Sequence, residues 1–111
     1  MRTYKENAEL FLKYLYDNDC STTGPFGNYP VELDEFPDGT YSIYLDSQAG
    51  FMRFLFLDSG AVEIQCELDN GDEVINLEKE FNNFNYFCDW YSSQDFTWTD
   101  DLGFGAKLLK E

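Results

Sequence analysis

The sequence predicts an α+β fold on three patterns. Residues 3–17 place apolar side chains at helical spacing behind a capping box, and residues 29–76 alternate apolar and polar side chains between tight-turn signals. Residues 77–93 return to helical spacing. Together they predict a single domain over residues 1–111. It has an N-terminal helix, an antiparallel meander of four or five strands, and a second helix packed on the sheet.

The first helix follows from Thr3 and Glu6, a capping box that satisfies two orphan N–H groups reciprocally. Tyr4, Ala8, Phe11, Leu12 and Leu15 follow at helical spacing, and Leu10 and Tyr14 add a second apolar flank, so burial on more than one side is expected. Asp17-Asn18-Asp19 ends the helix, and residues 18–28 are turn formers. Gly24-Pro25-Phe26-Gly27 within them lacks the lysine and the strand–helix setting of a phosphate loop.

Runs 29–36 and 40–46 bracket Pro37-Asp38-Gly39, a strong hairpin signal. A three-residue loop pairs Leu33 with Ile43 and Val31 with Leu45. A four-residue loop over 47–50 then sets Leu45 by Met52, Ile43 by Phe54 and Tyr41 by Phe56. The next two runs flank Asp58-Ser59-Gly60. A two-residue loop there would set Phe54 and Phe56 beside Gln65 and Glu63. A three-residue loop with Gly60 as a bulge sets Phe56 by Val62, Phe54 by Ile64 and Met52 by Cys66, with Arg53 opposite Gln65 between Glu63 and Glu67. A one-residue slip turns every side chain over, so the second register is the one that gives all strands a common apolar face.

Beyond Leu68, Asn70-Gly71 is a two-residue hairpin signal that returns a short strand over 73–76, with Ile75 beside Cys66. Residues 77–93 then read as a helix: Leu77, Phe81, Phe84, Cys88 and Tyr91 recur every three or four residues, with Phe87 widening the stripe. Asn76 would cap it, and Glu78 and Glu80 would suit the positive end of its dipole. Tyr86 and Trp90 point away from that stripe, toward either the C-terminal segment or a partner. Segment 95–111 mixes Phe96, Trp98, Leu102 and Phe104 with Asp95, Asp100 and Asp101. Gly103 and Gly105 weaken any helix there, and its placement stays open. The expected core is Phe11, Leu15, Val31, Leu33, Ile43, Phe54, Phe56, Val62, Ile64, Phe81, Phe84 and Cys88.

Charge narrows the function. Seven Lys and Arg stand against 22 Asp and Glu, a net −15. Between Asp17 and Asp101 lie 19 acids and two bases, Arg53 and Lys79. Such a field repels nucleic acid and anionic membrane, attracts cationic surfaces, and costs stability through self-repulsion. Solubility or salt adaptation are the plain alternatives, but salt adaptation does not account for aromatics at 19% of the chain. No apolar run near 18 residues and no basic-then-apolar leader pattern occurs, so a soluble, cytoplasmic protein is expected. Cys20, Cys66 and Cys88 are odd in number and far apart, which suits free thiols.

With no histidine and no C-x-x-C, neither a zinc site nor a nucleophile–base pair is expected. The chain reads as a non-enzyme without cofactor or metal. The acids around Asn70-Gly71 (Asp69, Asp72 and Glu73) lack the spacing of a calcium loop.

In the chosen register the second face of the sheet carries Glu32, Asp34 and Asp46 on one side and Glu63, Glu67 and Asp69 on the other, with Tyr44, Phe51, Leu55 and Leu57 between. Alternate residues of a strand lie about 6–7 Å apart, comparable to successive phosphates on a nucleic-acid strand. The candidate partner-binding residues are therefore these acids with Tyr44 and Phe51, joined by Asp72 and Glu73 at the turn and by Tyr86 and Trp90 on the second helix.

In size, charge and mixed helix–sheet pattern, and in the ladders Glu32/Asp34 and Glu63/Glu67/Asp69, the chain resembles the small acidic DNA-mimic inhibitors encoded by phages, of the anti-CRISPR and anti-restriction type. The resemblance implies a stoichiometric blocker of a nucleic-acid enzyme in the host cytoplasm. Its partner would be a basic nucleic-acid-binding effector or nuclease, with no direct binding to nucleic acid or membrane. Two readings stand beside it: an immunity protein neutralising a basic toxin, and a small-ligand module using Tyr86, Trp90 and the tail aromatics.

Overall fold

The computed structural model describes residues 2–17, 32–47, 50–69, 71, 74–94 and 104–111. Helix α1 (Tyr4–Asp17) precedes a sheet of β1 (Leu33–Glu35), β2 (Tyr41–Ser47), β3 (Gly50–Phe56), β4 (Val62–Asp69) and β5 (Val74–Phe81), followed by α2 (Phe84–Ser92) and a C-terminal 3-10 helix (Phe104–Leu109). The five strands pair in chain order, each antiparallel to the next. The expected α+β meander is the fold.

The capping box forms as the sequence implies. The Thr3 amide donates to Glu6 Oε1 at 3.0 Å and the Glu6 amide donates to Thr3 Oγ1 at 3.1 Å. The Thr3 backbone N–H on the carboxylate, with the Thr3 side chain second, holds the Glu6 carboxyl below its ordinary range. Both three-residue hairpins are built alike. Phe36 N–H donates to Thr40 O at 2.8 Å with Gly39 at φ +89, and Leu57 N–H donates to Ala61 O at 3.0 Å with Gly60 at φ +92. Glycine takes this left-handed bulge position without a Cβ clash. The pairs Leu33 with Ile43, Tyr41 with Phe56, Ile43 with Phe54, Leu45 with Met52, Met52 with Cys66, Phe54 with Ile64 and Phe56 with Val62 all form. Between β2 and β3 the pairing runs on to Ser47 and Gly50, closing most of the expected four-residue loop.

The correction lies in residues 74–83. Leu77–Phe81 is strand, not helix: β5 continues to Phe81, and α2 starts at Phe84 with Asn83, not Asn76, as its cap, accepting from the Tyr86 amide at 2.9 Å. The expected pair of Ile75 with Cys66 is replaced by Ile75 with Leu68 and Leu77 with Cys66, because four residues, not two, lie between Asp69 and Val74. Leu77 and Phe81 fit a strand face as well as a helix stripe. A full-length β5 runs opposite all eight β4 residues and takes up the N–H and C=O groups that β4 turns away from β3, about half of which a strand over 73–76 would leave unpaired.

α1, α2 and the 3-10 helix gather on one side of the sheet. Phe11 is the hub of the core, with ring centroids of Phe54 at 4.9 Å, Phe87 at 5.1 Å and Tyr91 at 5.2 Å, all edge to face. Of the expected core, Phe11, Leu15, Ile43, Phe54, Phe56, Val62, Ile64, Phe84 and Cys88 are buried, and Leu33 and Phe81 pack partly buried at its margin. Val31 lies outside the described residues. Ala8, Tyr14, Leu45, Met52, Cys66, Phe87, Tyr91 and Ala106 join them in the core.

The end of the chain, unplaced by sequence reasoning, docks on α2. Arg2 donates from its backbone to the Glu111 carboxylate and from its guanidinium to Leu109 O. Glu111 N–H donates to Asn85 Oδ1 at 2.9 Å, and Lys110 pairs with Asp89 at 2.8 Å. Phe96, Trp98 and Leu102 lie outside the described residues.

Candidate interaction surface

Strand alternation sends every second side chain to the sheet face opposite the helices, and the register sorts them into rows. Asp34, Ser42, Leu55, Glu63 and Glu80 form one row across all five strands. Tyr44, Arg53, Gln65 and Glu78 form the next, then Asp46, Phe51, Glu67 and Asn76, with Asp69 opposite Val74 at the end. Glu32, exposed, stands just ahead of β1.

Most of the sequence-derived site is thus brought onto one surface. Asp34, Glu67 and Asp69 are exposed, Glu63 and Phe51 half-buried, and Tyr44 is 37% exposed. Asp46 takes its place by backbone register opposite Phe51. Asp72 and Glu73 lie outside the described residues. The strand–helix correction adds two acids that sequence reasoning had assigned to a helix terminus: Glu78 and Glu80, exposed on β5 opposite Gln65 and Glu63. Period-two alternation through Asn76, Glu78 and Glu80 was the signal that could have found them. Glu63 and Glu80 stand directly across from each other, a like-charge pair that the sheet alone would disfavour.

Among the described residues the two mid-chain cations form no ion pair with these acids. Arg53 is opposite Gln65 as expected, yet its guanidinium lies 5.1 Å from the Tyr44 ring centroid, and Tyr44 stacks on Phe51 at 5.8 Å. Lys79, on the helix side of β5, places Nζ 5.9 Å from the Trp90 ring. Each is a cation–π contact. Among the described residues the ion pairs are Arg2–Glu111, Lys5–Glu9, Lys13–Asp17 and Lys110–Asp89. All lie on the helices or the chain ends, so none uses a carboxylate of the outer sheet face.

Tyr86 and Trp90 do not make a common surface. Tyr86 is 57% exposed on α2, whereas Trp90 turns back to pack on Phe81 at 5.4 Å. A groove of about 300 Å³ between α1 and the 3-10 helix is lined by Leu10, Lys13, Tyr14, Asp17, Gly105, Leu108 and Leu109, so neither aromatic contributes to it.

The chemistry of the remaining reactive groups is quiet. Burial pushes the Cys66 thiol up to about 11 and the Cys88 thiol up to about 12, which suppresses the thiolate. Both are free, and Cys20 lies outside the described residues. Among the described residues no three Cys, Asp or Glu groups are placed to hold a metal ion, and no helix is long and apolar enough to cross a membrane. Comparison of the chain with protein-family models, with curated proteins and with solved structures finds no match.

Proposed function

We propose that this protein is a non-enzymatic inhibitor whose outer sheet face occupies a basic, nucleic-acid-binding surface of a partner protein, in the manner of the phage-encoded anti-CRISPR and anti-restriction DNA mimics. One observation carries the reading: a sheet face opposite the helices on which Glu32, Asp34, Glu63, Glu67, Asp69, Glu78 and Glu80 are displayed while the neighbouring cation, Arg53, is held on Tyr44. Carboxylates about 6–7 Å apart at Glu67/Asp69 on β4 and at Glu78/Glu80 on β5, with Glu63 about 5 Å across from Glu80, offer a lysine- or arginine-rich groove charges at the spacing it is built to accept. Tyr44 and Phe51 supply an apolar centre, the place where interface energy concentrates.

The test is capture of a partner from bacterial lysate on immobilised protein, then competition by duplex DNA. Association should be steered, so the on-rate falls steeply with ionic strength. Charge reversal at Glu63 and Glu67 together should weaken binding more than reversal at Glu32 and Asp34, since the β4–β5 margin carries the denser acids. Tyr44→Ala should act on the off-rate. A partner bound equally at low and high salt, with every reversal silent and no competition from DNA, sinks the mimicry. A single cognate toxin as the captured protein would select the immunity reading instead.

A further inference from the structure

We infer that the outer edge of β5, on which no described strand lies, is a strand-addition site that takes an extended segment of a partner, with basic and apolar residues in alternation. The sheet order leaves β5 paired on one side only, to β4, and among the described residues no strand lies on its other side. In an antiparallel sheet, successive residues turn their N–H and C=O groups to opposite edges, so half of the eight β5 residues direct both groups outward. Proteins blunt such edges with proline, bulges, brevity or inward charges. β1, at the other edge, is three residues long. β5 has eight residues, no proline, and an unbroken register from Val62–Phe81 to Asp69–Val74; its one inward charge, Lys79, is turned onto the Trp90 ring and is the single blunting device it carries among the described residues.

The chemistry of the occupant is set by what it would lie beside. On the outer face its side chains meet Asn76, Glu78 and Glu80, about 5 Å across the new pair, and are matched by lysine or arginine at alternate positions. On the inner face they meet Leu77 and Phe81, half-buried at the margin of the core, with Lys79 between them turned onto the Trp90 ring, and are matched by apolar residues beside Leu77 and Phe81. Main-chain bonds would supply affinity and the alternating side chains selectivity. A second copy of this chain fits less well, because pairing two β5 edges would join two acidic faces, each on a protein of net charge −15. The sign of the occupant's charge rests on the proposed function, while the edge rests on the sheet alone.

The probe is a short peptide alternating lysine and valine, matched to β5 in length. Its control is a peptide of the same composition with the lysines and valines in separate blocks. Amide hydrogen exchange of the full-length protein reads the edge directly. With the alternating peptide, alternate β5 amides should slow by about tenfold or more, and the block peptide should give no such pattern. The double substitution Glu78→Lys with Glu80→Lys should remove the protection while leaving the amides shared with β4 protected, which reports an intact fold. Equal binding of both peptides without β5 protection overturns the strand addition. If that binding still falls with salt and with reversal of Glu63 and Glu67, the acidic-face reading survives it. Protection that appears without peptide and grows with protein concentration would also overturn the inference, in favour of self-pairing.

Discussion

Phe54 and Leu55 are neighbours on β3 that face opposite sides of the sheet, and their alanine variants should differ sharply. Phe54 is fully buried, with the rings of Phe11, Phe87 and Tyr91 at 4.9, 5.8 and 6.2 Å. Phe54→Ala should cost about 3–5 kcal/mol, from lost transfer energy and the cavity left behind. The edge-to-face contacts, worth roughly 0.5–1.5 kcal/mol per pair, favour the upper half of that range. Leu55 lies half-buried on the outer face between Ser42 and Glu63. Leu55→Ala surrenders about half of the roughly 1.5–3 kcal/mol of full burial and leaves no enclosed cavity, so about 1 kcal/mol is expected. Urea unfolding followed by fluorescence resolves the two. At a slope of about 1–3 kcal/mol per molar, the Phe54 variant loses on the order of 2 M in midpoint and the Leu55 variant well under 1 M. If Leu55→Ala costs as much as Phe54→Ala, β3 is turned over and the acidic rows belong to the other face.

The remaining predictions concern charge, thiols and the first helix. Glu80→Lys converts the repulsion with Glu63 into attraction and should stabilise by roughly 0.2–1 kcal/mol. The gain in Tm should shrink at about 1 M salt, where the Debye length is ~3 Å, and a lowered Tm at low salt would contradict the β4–β5 register. Cys66 and Cys88 should resist alkylation in the folded protein and label on unfolding, with Cys20 bringing the unfolded count to three. Because their pKa values are raised to about 11 and about 12, the associated stability is complete below the unfolded value of about 8.5. It is lost as pH climbs toward the folded values, which an alkaline unfolding curve of Cys66→Ser against the parent would report. Thr3→Ala removes the hydroxyl but keeps the amide that donates to the Glu6 carboxylate, the larger cause of its depression, so the carboxyl should return only part of the way toward its ordinary range in an NMR titration. Glu6 is depressed in the fold, so its contribution holds above about pH 4.3 and fades as pH falls, and the Tm gap between parent and variant should narrow in acid.

The sheet was legible wherever two constraints agreed. At Pro37-Asp38-Gly39 and Asp58-Ser59-Gly60 the turn chemistry and the apolar alternation demanded the same register, and there the cross-strand pairs match residue for residue. At residues 74–83 they conflicted. Asn70-Gly71 argued for a tight two-residue turn, while Leu77, Phe81 and Phe84 satisfied a helical period that begins only after Asn83. Backbone pairing along β4 decided the matter, and it is a tertiary term that a local window does not contain. The same gap hid Glu78 and Glu80 from the acidic face and gave Trp90 an outward direction it does not have. The 3-10 helix was illegible for a related reason: its position depends on Arg2, Asn85 and Asp89, contacts distant in sequence, and its own periodicity is weak.

The chain-order pairing of the strands has a kinetic consequence. Each strand meets the one just made through a short turn, so most sheet contacts close small loops and cost little entropy before they are rewarded. The sheet is set up to assemble as a zipper running from one hairpin to the next. The expensive step is the one that brings Phe11, near one end, against Phe87 and Tyr91, near the other. Until that aromatic hub closes, the meander holds an apolar side open to water beside a face that repels its own kind. The charge that would draw a partner in the native state would therefore also keep half-made molecules apart while the last closure is found.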